Sequence, residues 1–202
     1  SCEDFYNCQL SRGLVSQPLS TSKVAVTYDF PVGPGKRFLT AGPAGRILGD
    51  WKVSGLLSLR SGYPFGLSSP TDSQNRFSGI GYRLDLLGNL ELSNPSIAKW
   101  FNTGAVAPAT FGRIGTLGPN PLRGPGLYNL DFALLKAFRI KERFGFELRG
   151  EFFNLLNHMN YGLPGTAYGT PTFGVITGGA ATTQYVGSAP SRRVQIGLKI
   201  TF

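Results

Sequence analysis

The stretch that decides the fold is Arg143-Phe144-Gly145-Phe146-Glu147-Leu148-Arg149-Gly150-Glu151-Phe152-Phe153-Asn154-Leu155. Phe144, Phe146, Leu148 and Phe152 alternate with Arg143, Glu147, Arg149 and Glu151. A strand sends successive side chains to opposite faces, so this alternation predicts one apolar and one charged face. Just upstream, Leu127–Ile140 alternates in the same way. Tyr128, Leu130, Phe132, Leu134, Phe138 and Ile140 share one side; Asn129, Asp131, Ala133 and Arg139 share the other with Leu127, Leu135 and Ala137. Only Lys141–Arg143 separates the two runs, which predicts a tight hairpin. Two registers keep the apolar faces together. One places Arg139 opposite Arg143 and Asp131 opposite Glu151, and both are repulsive like-charge pairs. The other pairs Phe138 with Phe146, Phe132 with Phe152, Ala137 with Glu147 and Leu135 with Arg149, and is preferred.

Three further segments alternate. In Lys23–Phe30, Val24, Val26, Tyr28 and Phe30 oppose Ala25, Thr27 and Asp29. In Trp51–Phe65, Trp51, Val53, Gly55, Leu57, Leu59, Tyr63 and Phe65 oppose Lys52, Ser54, Ser58, Arg60 and Gly62, with Leu56 out of phase. In Ser191–Phe202, Val194, Ile196, Leu198, Ile200 and Phe202 oppose Arg193, Gln195, Lys199 and Thr201. A helical stripe of period 3.6 is not evident, and only Ser96–Phe101 suggests a short helical turn. The expected class is therefore all-β and antiparallel. Residues 31–50 form a link rich in Gly and Pro, while 66–126 and 156–190 are long and rich in Gly, Pro, Ser, Thr and Asn. Loops of that length are uncommon in compact domains unless functional or mobile.

Composition narrows the class. The chain has 202 residues, 28 Gly and 14 Pro, and 41% hydrophobic residues, which excludes a polar disordered tail. Charged residues are 15%, below the roughly 25% of soluble domains. The net charge of +9 comes from 20 Lys+Arg against 11 Asp+Glu. These are scattered, with Lys36-Arg37 and Arg192-Arg193 the adjacent pairs, so no nucleic-acid partner is expected. No run of about 18 apolar residues is present, so no transmembrane helix is expected. The chain opens Ser1-Cys2 and its sole Met is Met159, which suggests a processed product or a fragment whose export signal, if any, lies upstream. Cys2 and Cys8 are a candidate disulfide in an oxidising compartment.

An alternating sheet can pack its apolar faces together in a sandwich, or turn them to lipid around a watery lumen. The runs here exceed the roughly 5–6 residues of globular strands and suit the roughly 9–11 of a tilted membrane strand. Aromatics lie near the ends: Phe30, Trp51, Tyr63, Phe65, Tyr128, Phe138, Phe144 and Phe202, as in interfacial girdles. The connections alternate between shorter and longer, matching short periplasmic turns and long external loops. This reading puts 31–50 and 141–143 on the periplasmic side and 1–22, 66–126 and 156–190 outside. It turns Asp131, Glu147, Arg149, Glu151, Arg193 and Lys199 to the lumen, and Val194, Ile196, Leu198 and Ile200 to outer-membrane lipid.

Particular motifs then carry a family resemblance. They are Tyr28-Asp29-Phe30-Pro31-Val32-Gly33 with Gly35-Lys36-Arg37-Phe38, Gly49-Asp50-Trp51-Lys52-Val53-Ser54-Gly55, and Ser61-Gly62-Tyr63-Pro64-Phe65. Leu122-Arg123-Gly124-Pro125-Gly126, Glu151-Phe152-Phe153-Asn154-Leu155-Leu156-Asn157-His158 and Asn160-Tyr161-Gly162 follow. In this order they resemble the C-terminal end of TonB-dependent outer-membrane receptors, nearest to Oar-like receptors with a carboxypeptidase-regulatory-like domain. The resemblance covers about residues 23–202. It implies an up-and-down transmembrane β-barrel segment of about five long strands within a larger barrel, with 1–22 a loop remnant outside it. It also implies a plug domain and a TonB complex as partners through parts absent from this chain, and uptake of a bulky nutrient such as a siderophore or oligosaccharide. Phe202 resembles the terminal aromatic read by barrel-assembly machinery.

Catalytic chemistry finds little footing. His158 is the sole imidazole, and the resemblance makes it a motif residue at a strand end. Glu147 and Glu151 lie about 13–14 Å apart along one strand, too far for a glycosidase pair at about 5–9.5 Å. Arg123-Gly124-Pro125-Gly126 lacks the Lys-Ser/Thr of a phosphate loop. No enzyme activity, metal or organic cofactor is expected. The rival reading is a soluble secreted β-sandwich binding module, and a third is a passive porin fragment.

Overall fold

The computed structural model describes residues 17–73, 82–141, 144–179 and 191–201. In chain order the elements are β1 (Thr21–Asp29), α1 (Gly42–Leu48), β2 (Trp51–Arg60), β3 (Pro64–Phe65) and β4 (Leu84–Leu86). Then follow β5 (Val106–Pro108), β6 (Leu122–Arg123), β7 (Leu127–Lys141), β8 (Phe144–Phe153) and β9 (Arg193–Thr201). The long strands form one sheet in the order β1-β2-β7-β8-β9, so each lies beside the next long strand along the chain. That is an up-and-down arrangement, and the all-β antiparallel expectation holds.

The β7–β8 register pairs Phe132 with Phe152, Leu135 with Arg149, Ala137 with Glu147 and Phe138 with Phe146. This is the register that avoids the like-charge pairs of its neighbour. The hairpin differs in one detail. The register shifts between Arg139 and Lys141, and Lys141 pairs with Phe144, so β7 runs one residue into the expected turn. β9 continues the pattern, with Leu148 opposite Leu198 and Gly150 opposite Ile196.

The chain divides into two compact units. The sheet unit holds Ser22–Leu59, Tyr128–Asn160 and, among the described residues, 191–201. Its apolar face is open: Ile196 is 77% exposed and Leu148 41%. A soluble sandwich would cover these side chains, because an uncovered stripe of this kind forfeits the hydrophobic driving force for folding in water.

Residues 31–50 are more structured than a breaker-rich link. A turn is closed by Gly33 N–H donating to Phe38 O at 2.9 Å and Phe38 N–H to Pro31 O at 3.0 Å. Gly33, at φ +119°, lies against the backbone of Gly49, where a Cβ would stand 2.8 Å from the Gly49 Cα. Two glycines are thus needed for one close approach. The helix α1 has Pro43 in its first turn and no side-chain N-cap. It escaped the sequence reading because a two-turn helix shows no periodic stripe.

The second unit gathers Arg60–Leu127 with residues 161–179 around its own core. Leu84 and Phe101 are fully buried, and Phe65, Leu90, Val106, Leu117 and Leu122 pack with them. Phe101 meets Phe173 edge-on at 5.1 Å between ring centres. The described parts of the two long connections therefore share one folded core. Ser96–Lys99 forms a bridge-closed turn rather than the expected helical turn, and a 3₁₀ turn follows at Thr103–Ala105.

Candidate functional site

The polar face of the sheet unit carries the expected charges in a particular arrangement. Arg149 reaches along its own strand in both directions, to Glu147 Oε1 at 3.9 Å and Glu151 Oε1 at 3.3 Å. On the β1–β2 side, Lys52 Nζ lies 3.4 Å from Asp29 Oδ1. A cleft of about 520 Å³ spans this face, lined by Asp29, Lys52, Ser54, Leu135, Glu147 and Arg149 among others. The face is thus a half-exposed wall of alternating charge, suited to hydrogen-bonding a polar solute or a polar protein surface. Lys199 stands opposite Glu147 in the register and Arg193 opposite Phe153, both exposed.

Asp131 is on the same wall, but its carboxylate is engaged locally. Its Oδ1 accepts from Asn154 N–H at 2.9 Å and from Asn129 Nδ2 at 2.9 Å. The sequence reading passed over the partners in this corner. Asn154, wholly buried at φ 52°, accepts from His158 N–H at 3.0 Å and donates from Nδ2 to His158 O at 2.8 Å. Asn157 accepts from Arg192 N–H at 3.0 Å, and Asn160 accepts from Tyr128 N–H at 3.0 Å. Three motif asparagines thus fasten the end of β8 to the strands on either side. The His158 and Tyr128 rings meet in a T-shaped contact, 5.6 Å between ring centres. The signal was present in the Asn-x-x-Asn-x-x-Asn spacing, since Asn tolerates the left-handed conformation and bridges backbone groups.

In the loop unit two motifs meet. Pro64–Phe65 pairs with Leu122–Arg123, Gly124 N–H donates to Tyr63 O at 2.9 Å, and Arg123 Nη1 donates to Gly62 O at 3.2 Å. A Cβ on Gly62 would strike the Gly124 carbonyl. Trp100 Nε1 seals the corner by donating to Arg123 O at 2.8 Å. Asp85, nearly buried, is held by Arg113 at 2.5 Å and by Thr116 N–H at 3.1 Å. A pocket of about 570 Å³ opens beside this core, lined by Phe65, Asn120, Leu163, Thr166 and Gly178 among others. Its lining is uncharged.

Among the described residues, no group of three His, Cys, Asp or Glu is placed to hold a metal ion. Cys2, Cys8 and Phe202 lie outside the described residues.

A family model for an outer membrane beta barrel domain matches residues 1–195. The chain belongs to that family, and with it to the bacterial outer membrane. No curated protein and no solved structure matches the chain.

Proposed function

We propose that the chain is the C-terminal barrel portion of a TonB-dependent receptor of the Oar-like kind, importing a bulky nutrient such as a siderophore or oligosaccharide. The observation that carries this reading is the folded core of the loop unit. Ordering so many residues costs about 1–2 kcal/mol each in backbone entropy. A passive pore has no use for a built surface of that size, whereas a receptor that captures dilute ligand does. The motif order from Tyr28 to Gly162 supports the same reading. The uncharged pocket favours a neutral polar ligand over an anionic one.

β1 and β9 each have one hydrogen-bonded neighbour in the described sheet. Bacterial membrane barrels close with an even count of at least about eight strands. β1 and β9 therefore pair with further strands of the same barrel. The charged wall then faces the lumen and meets a plug domain, through which a TonB complex acts. Lipid, the rest of the barrel and the assembly machinery, acting on Phe202, complete the partners.

The test is uptake of labelled oligosaccharides and ferric siderophores by cells expressing the full-length gene product. Receptor function predicts saturable uptake that a protonophore abolishes. Flux that is unsaturable and indifferent to the protonophore would establish a passive pore instead.

A further inference from the structure

We propose a phospholipid headgroup site on the apolar side of the sheet unit, where the 31–50 link folds against it. This rests on membership of the outer-membrane family and not on the uptake reading. A cavity of about 740 Å³ there is lined by Phe138, Phe146, Leu148 and Leu198, together with Arg46 and Asp50. The four apolar residues belong to the open face of β7, β8 and β9. They offer a channel for an acyl chain. Arg46 and Asp50 supply one positive and one negative group at the same cavity. Arg46 is exposed, and its guanidinium makes no hydrogen bond or ion pair among the described residues.

The level of this cavity in the membrane is marked by its neighbours. Ala137 N–H donates to Asp50 O at 3.2 Å, and Phe30 N–H donates to Trp51 O at 2.9 Å. Phe30 and Trp51 therefore sit at the height of the link, and aromatics collect at the headgroup level. The link adds exposed Phe38, Leu39, Ile47 and Leu48, which suit insertion among acyl chains. An Arg with free donors at this height recognises a phosphodiester. Asp50 repels an anionic headgroup and attracts an ammonium. The occupant is thus a zwitterionic phospholipid with a primary amine, its phosphate on Arg46 and its amine on Asp50.

The experiment is native mass spectrometry of the full-length protein, delipidated in detergent and titrated with phosphatidylethanolamine or phosphatidylglycerol. One phosphatidylethanolamine is expected to be retained in preference to phosphatidylglycerol. Arg46→Ala should weaken retention about tenfold or more, the scale of a charge-assisted hydrogen bond. Asp50→Asn should erase the headgroup preference, and Arg37→Ala, in the same link but away from the cavity, should change nothing. Millimolar inorganic phosphate should not displace the lipid. Equal retention by Arg46→Ala and wild type, equal loss in Arg37→Ala, displacement by phosphate, or preference for phosphatidylglycerol would each overturn the site. Folding of each variant is checked by its heat-modifiable gel mobility, and if Arg46→Ala fails this check it is replaced by Arg46→Gln, which removes the charge but keeps a polar side chain.

Discussion

Lys136 Nζ donates to the main-chain carbonyl of Arg46 at 3.0 Å, from a strand face that is otherwise apolar. The same ammonium also bonds the Gly49 carbonyl and lies 4.9 Å from the centre of the Phe138 ring and 5.5 Å from that of Trp51. A lysine directed at hydrocarbon is costly, by about 2–4 kcal/mol at the bilayer midplane and less near the interfaces. Here it is 1% exposed because the link folds over it. The last carbonyls of α1 need donors, and Lys136 and the Trp51 indole, which donates to Ile47 O at 3.3 Å, supply them. One lysine thus fastens the link to the sheet.

Lys136→Met should therefore loosen the link even though it removes a charge from an apolar face. Two shielded carbonyls lose a charged donor, at about 1–3 kcal/mol. The expected result is a lower midpoint of heat-induced unfolding and faster protease cleavage within 31–50. An unchanged midpoint with unchanged cleavage would show that the latch contributes nothing.

Ile196→Arg separates lipid from water as the medium outside β9. At 77% exposure a charge there would be nearly neutral in a soluble protein. Facing hydrocarbon, it should cost up to about 2–4 kcal/mol, by depth. Folding yield into lipid vesicles is the readout, and wild-type yield would argue against a lipid-facing surface.

Asn154→Ala removes both side-chain bonds to the His158 backbone and leaves a left-handed residue without its Asn. The combined cost should be about 2–3 kcal/mol. His158→Ala should cost much less, since the bonds use only its main chain. Thermal melts of the two variants in detergent compare them directly, and a larger loss for His158→Ala would contradict this assignment.

Gly62→Val should disorder the loop unit while sparing the sheet, because its Cβ cannot pass the Gly124 carbonyl. Limited proteolysis should cut within 66–126 while the protein keeps its heat-modifiable migration. If nutrient uptake depends on the loop unit, the same variant should lose ligand binding.

Arg149→Ala should change stability by less than about 1 kcal/mol, since its two ion pairs are half in solvent. Thermal melts of the full-length protein are the readout, and a loss well above that would mark contact of Arg149 with another domain.

The period-two pattern determined the long strands and their faces, and cross-strand charge chose the β7–β8 register; the second run was expected to reach Phe65, but β2 ends at Arg60 and Pro64–Phe65 pairs with Leu122–Arg123 instead. Side-chain alternation is a local property, and cross-strand charge is readable once a turn is short. The same reading placed Glu147, Arg149 and Glu151 on one wall. It did not register Lys136, whose position in an apolar series only makes sense once the α1 carbonyls above it are known. Nor did it anticipate that Phe65, Leu84, Phe101 and Phe173 build one core, because their contacts join residues distant in the chain with no period between them. Tertiary structure decided these features. Burial of a lysine or of an isolated aromatic depends on what the rest of the chain lays across it, and no local pattern encodes that.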